Sequence, residues 1–301
     1  LDAQVDSPQI VWNENENQIL TFNNFNNTVT LWDAFSGQEL FEFEGHKYGI
    51  TKAILSKDGN KLLTSSNDAT VRIWDTTNGN ELAKFTGVYQ AIWNSDNSKI
   101  LTISGDVWQG GDNTARIWDA NTGKGLVRFE GHAAFVMQAI WSKDESKVLT
   151  SGADHTVRIW DAATGEELIR FSASKATWSE DESKILTANG IWDTNTGEKL
   201  ANLGGFTWAT WSQDESKVLT ISANDLIGRQ SIVNGTVRLW DVVDDREVFK
   251  LEGVGYPKWS KDESKFLTHN DDGSIRVWYV HMTDLVPAAC KWVPRNFTWS
   301  E

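Results

Sequence analysis

Two short anchors alternate along this chain from end to end, and their spacing limits the possible folds more than any other feature. The first is an apolar residue, a polar turn, and then Ile, Leu, Val or Phe followed by Leu-Thr. Its apolar residues are Trp12, Leu55, Trp93, Trp141, Trp178, Trp211 and Trp259. The second is a Trp-Asp pair: Trp32-Asp33, Trp74-Asp75, Trp118-Asp119, Trp160-Asp161, Trp192-Asp193, Trp240-Asp241, with Trp278-Tyr279 as a drifted copy. From Trp32 to Trp278 the pair advances 246 residues in six steps, a mean of 41. One unit is copied, and the copies are the fold.

The unit that runs from Phe129 to Asp161 shows the pattern most fully. A short strand at Gln138–Trp141 leads through a turn to Lys147–Thr150, then to Thr156–Trp160, and a further turn precedes Glu167–Phe171. Alternation and β-branched residues in the third segment predict a strand packed on both faces. Gly37, Gly79, Gly123, Gly165 and Gly197 each sit five residues after the Trp. A hairpin residue with positive φ is wanted there. Asp245 takes that place in the sixth unit, and Asp visits the region more readily than most residues.

With these anchors, and with Gly131-His132 opening the unit, the chain resembles the WD-repeat (WD40) family over residues 1 to about 280. The resemblance implies an all-β fold, a seven-bladed β-propeller with four antiparallel strands per blade. Family topology takes the outermost strand of the last blade from the other terminus. Leu1–Val5 fills that place, so the N-terminal strand closes the ring. Leu1–Trp12 also aligns with Leu200–Trp211 and Val248–Trp259, so the chain opens with the pattern already running. The expectation is a domain cut from a longer protein: residues 1–280 form the propeller and 281–301 a tail. In the tail, Thr283–Trp292 reads as a short helix capped by Thr283 or Asp284. The tail resembles the segment that closes WD-repeat regions in multidomain bacterial signalling proteins of the signal-transduction NTPase type.

Composition narrows the partners. Forty-two acids against 28 bases leave a net charge of −14. That disfavours nucleic acid, which needs a basic footprint, and anionic membrane surfaces as well. The single cysteine, Cys290, cannot found a disulfide framework and suits a reducing, cytoplasmic setting. No apolar stretch reaches membrane-spanning length. The isolated domain is expected to be a monomer.

His132, Ser151 and Asp154 have the residue types of a hydrolase triad. In the WD-repeat family the same types build a structural network that the strand Trp completes. The resemblance therefore implies one network of His132, Ser151, Asp154 and Trp160, and a second of His46, Ser65, Asp68 and Trp74. Indole, hydroxyl and imidazole cannot be buried without partners. A nucleophile, by contrast, needs neither a copy nor a Trp. The other units lack the His, and most of them have a shorter linker ahead of the first anchor. Asp112 and Asp272 persist there, each expected to bond to its own turn.

Contact residues are sought where the units differ. The linkers carry Tyr48, Tyr89, Phe135, Phe206 with Trp208, and Tyr256. Aromatics around a propeller mouth have the composition of a binding surface. The turn between second and third strands lengthens to 105–112, with Trp108, and to 224–234, with Arg229. In the fifth unit it shrinks to Ala188-Asn189-Gly190, which predicts an Asn-Gly hairpin and a notch over blade five. The repeated Asp-Glu-Ser-Lys turns read as solvated hairpins. Phosphate-cradling glycine motifs are absent from the sequence, and the five histidines lack metal-ligand spacing. No catalytic residue, metal or cofactor is expected. The reading is a non-catalytic sensor or scaffold domain that binds a protein or peptide partner, or another domain of its own polypeptide. The alternative is an enzyme or small-ligand binder using the central channel.

Overall fold

In the computed structural model of the chain, the described residues are 9–23, 25, 27–104, 111–206, 208–223, 235–244, 246–255, 257–269 and 274–280. They fall into two compact units divided after Ser174. The first unit holds four sheets, spanning residues 9–43, 50–86, 88–129 and 136–172. The second holds three, spanning 176–201, 208–254 and 258–279. Each is an antiparallel meander in chain order. Six have four strands and the seventh has three among the described residues. Leu1–Val5, expected as its fourth strand, and the tail with its expected helix lie outside the described residues. So do Asp245, Asp272 and the long loops 105–110 and 224–234.

The second sheet serves as the type. Its strands are Ile50–Leu55, Lys61–Ser66, Thr70–Asp75 and Glu81–Thr86. The third strand is buried along nearly its whole length, as two-sided packing demands. Val71 and Ile73 lie with Leu63 and Phe85 against Val88, Ala91 and Ile100 of the third sheet. Trp74 faces the other way, into Leu20, Phe22, Leu31 and Phe43 of the first sheet. The same arrangement joins sheets three and four, and in the second unit sheets five and six, and six and seven. A small residue on the first strand, Ala53, Ala91 or Ala209, lets the neighbouring sheet approach closely.

Each half of the Trp-Asp pair has its own duty. The Asp caps the turn to the outer strand: Asp33, Asp75, Asp119, Asp161 and Asp193 each accept a backbone N–H bond of 2.7–2.8 Å from that turn. Those bonds and the hydroxyl bonds of the same turns, the Thr77 hydroxyl foremost at Asp75, hold the carboxylates below their usual pKa range. Beside the Trp of each four-stranded sheet the pairing to the outer strand shifts by one residue, a bulge that sharpens the local twist. The Gly of the turn has φ between 68° and 78° in all five sheets that carry it.

The turn at 188–190 departs from the expected Asn-Gly hairpin. Ala188 and Asn189 form the turn, and Gly190 is already a strand residue opposite Thr187. A Cβ on Gly190 would run into the Ala201 carbonyl oxygen, so close strand approach dictates the glycine.

Candidate functional site

One side-chain bond recurs in every sheet. The indole Nε1–H of the third-strand Trp donates to the hydroxyl of the second-strand Thr: Trp32 to Thr21, Trp74 to Thr64, Trp118 to Thr102, Trp160 to Thr150, Trp192 to Thr187, Trp240 to Thr220 and Trp278 to Thr268, at 2.8–3.1 Å. The two sequence anchors meet in this bond. Trp74 lies opposite Leu62 in the ladder, and Thr64 is two residues further along on the same face of the pleat.

Sheets two and four extend the bond into a chain. His46 Nε2 lies 2.8 Å from Thr64 Oγ1, and its Nδ1 lies 3.2 Å from Asp68. His132 lies 2.8 Å from Thr150 and 3.0 Å from Asp154. An indole can only donate, so the threonine oxygen accepts it and turns its own proton to Nε2. The imidazole therefore carries its proton on Nδ1, facing the carboxylate. The hydroxyl in each network is Thr64 or Thr150, correcting the expected Ser65 and Ser151. Those serines sit one residue on, where the pleat puts them on the opposite face. In the third sheet, Asp112 bonds to Thr114 of its own turn and also pairs with Arg116 and Arg128.

Burial pushes both imidazoles below the usual histidine range, a fall only partly opposed by their Asp partners. For Asp68 and Asp154, burial acts upward. Thr70, the Lys47 N–H and His46 outweigh it at Asp68, and the Ala133 N–H, Thr156 and His132 at Asp154, bringing each carboxyl down to about 2. The imidazole side chains are 1% exposed. A hydroxyl pinned between an indole and an imidazole, with no solvent access, cannot serve as a nucleophile for an incoming substrate.

The Gly before each His also follows from packing. A Cβ on Gly45 or Gly131 would collide with the guanidinium of Arg72 or Arg158. Those arginines lie over the strand Trp rings and pair with Glu81 and Glu167 at 2.5 Å. Arg72 also donates to the Gly45 carbonyl.

What the networks hold is the linker in front of each sheet. The Lys47 N–H donates to Asp68 at 2.9 Å, Ser66 Oγ donates to the Tyr48 carbonyl at 2.8 Å, and the Asn67 N–H donates to Gly49. In sheet four the Ala133 N–H donates to Asp154, and the Ala153 N–H to the Phe135 carbonyl, both at 2.9 Å. Tyr48 is thereby displayed at 63% exposure, and Tyr89 is 41% exposed. Phe135 is half-buried. Trp208 packs on the cluster between sheets six and seven, and Phe206 on that between five and six. Trp108, Arg229 and Tyr256 lie outside the described residues.

Two features of the sheets have little trace in the sequence. In sheets two, three and four the pairing of first and second strands slips by one residue at the same place, leaving Thr51, Tyr89 and Met137 without partners opposite. At the other end, the first turn of each sheet holds one residue at positive φ: Glu16, Gly59, Asn97, Glu145, Glu182, Glu215 and Glu263. Several reach back to the preceding sheet. Asn97 accepts from the Lys57 N–H at 2.8 Å, Glu145 from the Ser95 N–H at 2.5 Å and from Asn94, and Glu263 from the Gln213 N–H at 2.6 Å. The Asp-Glu-Ser-Lys turns at 144–147 and 262–265 are thus stitches between sheets rather than solvated hairpins alone. Next to them in the second unit lie clefts of about 350 and 450 Å³, floored by Trp259 and by Trp178 with Trp211.

Antiparallel meanders, each stapled by Trp to Thr and two of them extended through His to Asp, define a class of repeat proteins. Residues 37–75 and 123–161 match the family model of the WD domain, G-beta repeat. The match places WD repeats at these two segments of the chain. No curated protein matches it. WD repeats point to a role in protein interaction, and no helix among the described residues is long and apolar enough to cross a membrane.

Proposed function

We propose that this chain is a non-catalytic interaction domain whose contact face is the linker end of its sheets. The observation that carries the reading is the pair of buried His networks. They do no chemistry, yet they fix in place the loops that expose Tyr48 and carry Phe135. Rigid presentation of aromatic side chains lowers the ordering cost of binding a partner. The seven sheets close into one propeller domain over residues 1–280, with Leu1–Val5 completing the seventh. The domain is cytoplasmic and monomeric, works within a larger bacterial signalling polypeptide, and holds an attached effector in check until its partner arrives. The acidic net charge directs it to proteins rather than to nucleic acid or membrane.

The test is affinity capture from a bacterial lysate with the intact chain beside a Tyr48→Ala, Tyr89→Ala variant, both shown folded by circular dichroism. A partner retained by the first and lost by the second supports the reading. Identical retention by both, or capture by neither, counts against it.

A further inference from the structure

The slipped pairings in sheets two to four do more than bend the strands. A bulge re-aims the side chain at the extra position and those beside it. Thr51 turns inward, its hydroxyl donating to the Ser65 carbonyl at 3.1 Å. Tyr89 and Met137 turn outward, at 41% and 47% exposure. Immediately after them, at equivalent positions of the three first strands, come Lys52, Gln90 and Gln138. Among the described residues, the first-strand pairings of the other four sheets show no such slip. The device is confined to three consecutive sheets of the first unit.

The charges at this end are uneven. Asp68 and Asp154 are committed to the His networks, with side chains 3% and 7% exposed. Asp112 is bound by Arg116 and Arg128, and Glu130 by Arg128. Glu44, just beyond the outer strand of the first sheet, is exposed. On the linker and first strand of sheet two stand Lys47 and Lys52. Lys52 keeps solvent access, yet its ammonium is drawn below the usual lysine range by desolvation, with no carboxylate among the described residues opposing it. A desolvated cation without a carboxylate partner among the described residues is an unfilled electrostatic site. It stands out on a chain of net charge −14.

We propose that the first strands of sheets two to four form the seat of an acidic peptide segment. Lys52 takes a carboxylate of that segment, Gln90 and Gln138 bond its backbone, and Tyr48, Tyr89 and Met137 cover its apolar side chains. The inference rests on the interaction reading above and names the chemistry of the partner. The side chains match these roles. Glutamine amides offer both donors and acceptors to a peptide group. Tyrosines give contact area at low entropic cost. Methionine adapts to irregular apolar shapes.

The experiment selects short random peptides displayed on phage against the immobilised full chain. A recovered peptide is then titrated by fluorescence anisotropy. The selected pool should be enriched in Asp and Glu beside an apolar residue. Lys52→Glu should weaken binding by about tenfold or more, since a like charge replaces the receiving cation. Lys57→Glu, the same charge change in the turn at the opposite end of the sheet, should leave it unaltered. Both residues are exposed, and circular dichroism confirms the fold of each variant before titration. A pool without acidic enrichment, or equal effects of the two substitutions, overturns the acidic seat. Peptides that depend on Tyr48 and Tyr89 but ignore Lys52 would leave the interaction domain standing and remove this inference. Failure to recover any binding peptide would count against both.

Discussion

Replacing Thr150 by valine removes one oxygen atom and keeps the shape of the side chain, which makes it a clean probe of the His network. Thr150 Oγ1 sits 2.8 Å from both Trp160 Nε1 and His132 Nε2, in a residue 1% exposed. Valine leaves an indole donor and an imidazole nitrogen unpartnered, each costing about 1–3 kcal/mol. The added methyl returns about 0.8 kcal/mol. The net loss is about 1–5 kcal/mol. Thr102→Val in the third sheet orphans one indole, that of Trp118, and no histidine. Its loss should be smaller, at most about 2 kcal/mol. The assay is urea denaturation followed by circular dichroism, comparing midpoints at unchanged slope. His132→Leu, alone and with Thr150→Val, completes a double-mutant cycle, with an expected coupling of at least about 0.5 kcal/mol. If Thr102→Val costs as much as Thr150→Val, or the two changes in the cycle simply add, then the histidine is not coupled to the Trp–Thr staple and the reasoning fails.

Other consequences can be checked on the same footing. His46 and His132 have folded pKa values below the ordinary 6.5, so the unfolded chain takes up protons first and stability drops as pH falls through that value. Asp68 and Asp154, lowered from 3.8 to about 2, add a second loss as pH falls from 3.8 to about 2. Calorimetric Tm against pH should show the upper limb, and His46→Gln with His132→Gln should flatten it. A wild-type Tm that stays level from about pH 7 to about pH 5 would contradict this assignment. Glu145→Ala should cost about 1–3 kcal/mol by unbinding the Ser95 N–H and Asn94, whereas Glu145→Asn, the residue type at the equivalent Asn97, should cost far less. Equal midpoints for the two variants would show that the stitch carries no stability. Gly190→Ala should lower stability by more than about 2 kcal/mol through the clash with the Ala201 carbonyl, a backbone atom that cannot swing aside.

The repeat spacing makes the sheets legible because each anchor is a packing requirement: a Trp that fills the gap between sheets and an Asp that caps a turn. The hydroxyl of the His network falls one residue away from where the sequence pattern puts it. In a strand that offset changes the face completely, and counting back from Trp74 to its ladder partner Leu62 selects Thr64 over Ser65. Tyr48 and Tyr89 stand out as linker aromatics, but nothing in Val88-Tyr-Gln-Ala-Ile-Trp93 announces a bulge, because the extra residue has no composition of its own. The stitches are hidden differently. Glutamate rarely takes positive φ, so Asp-Glu-Ser-Lys reads as ordinary surface. The clue lies in Gly59 and Asn97, two residues tolerant of that conformation, standing in the same place. Trp208 shows the converse: an aromatic in a linker position whose ring serves the core.

The seven indole–threonine bonds make the fold report on itself. The chain has seventeen tryptophans, and seven of their indole N–H groups, one in each sheet, are held on a neighbouring hydroxyl. In a proton–nitrogen correlation spectrum indole signals stand apart from the backbone amides, so each sheet contributes one native beacon without a label being introduced. Solvent exchange at these seven positions would rank the sheets by how readily each one opens. A partner settling on sheets two to four would register first at Trp74, Trp118 and Trp160.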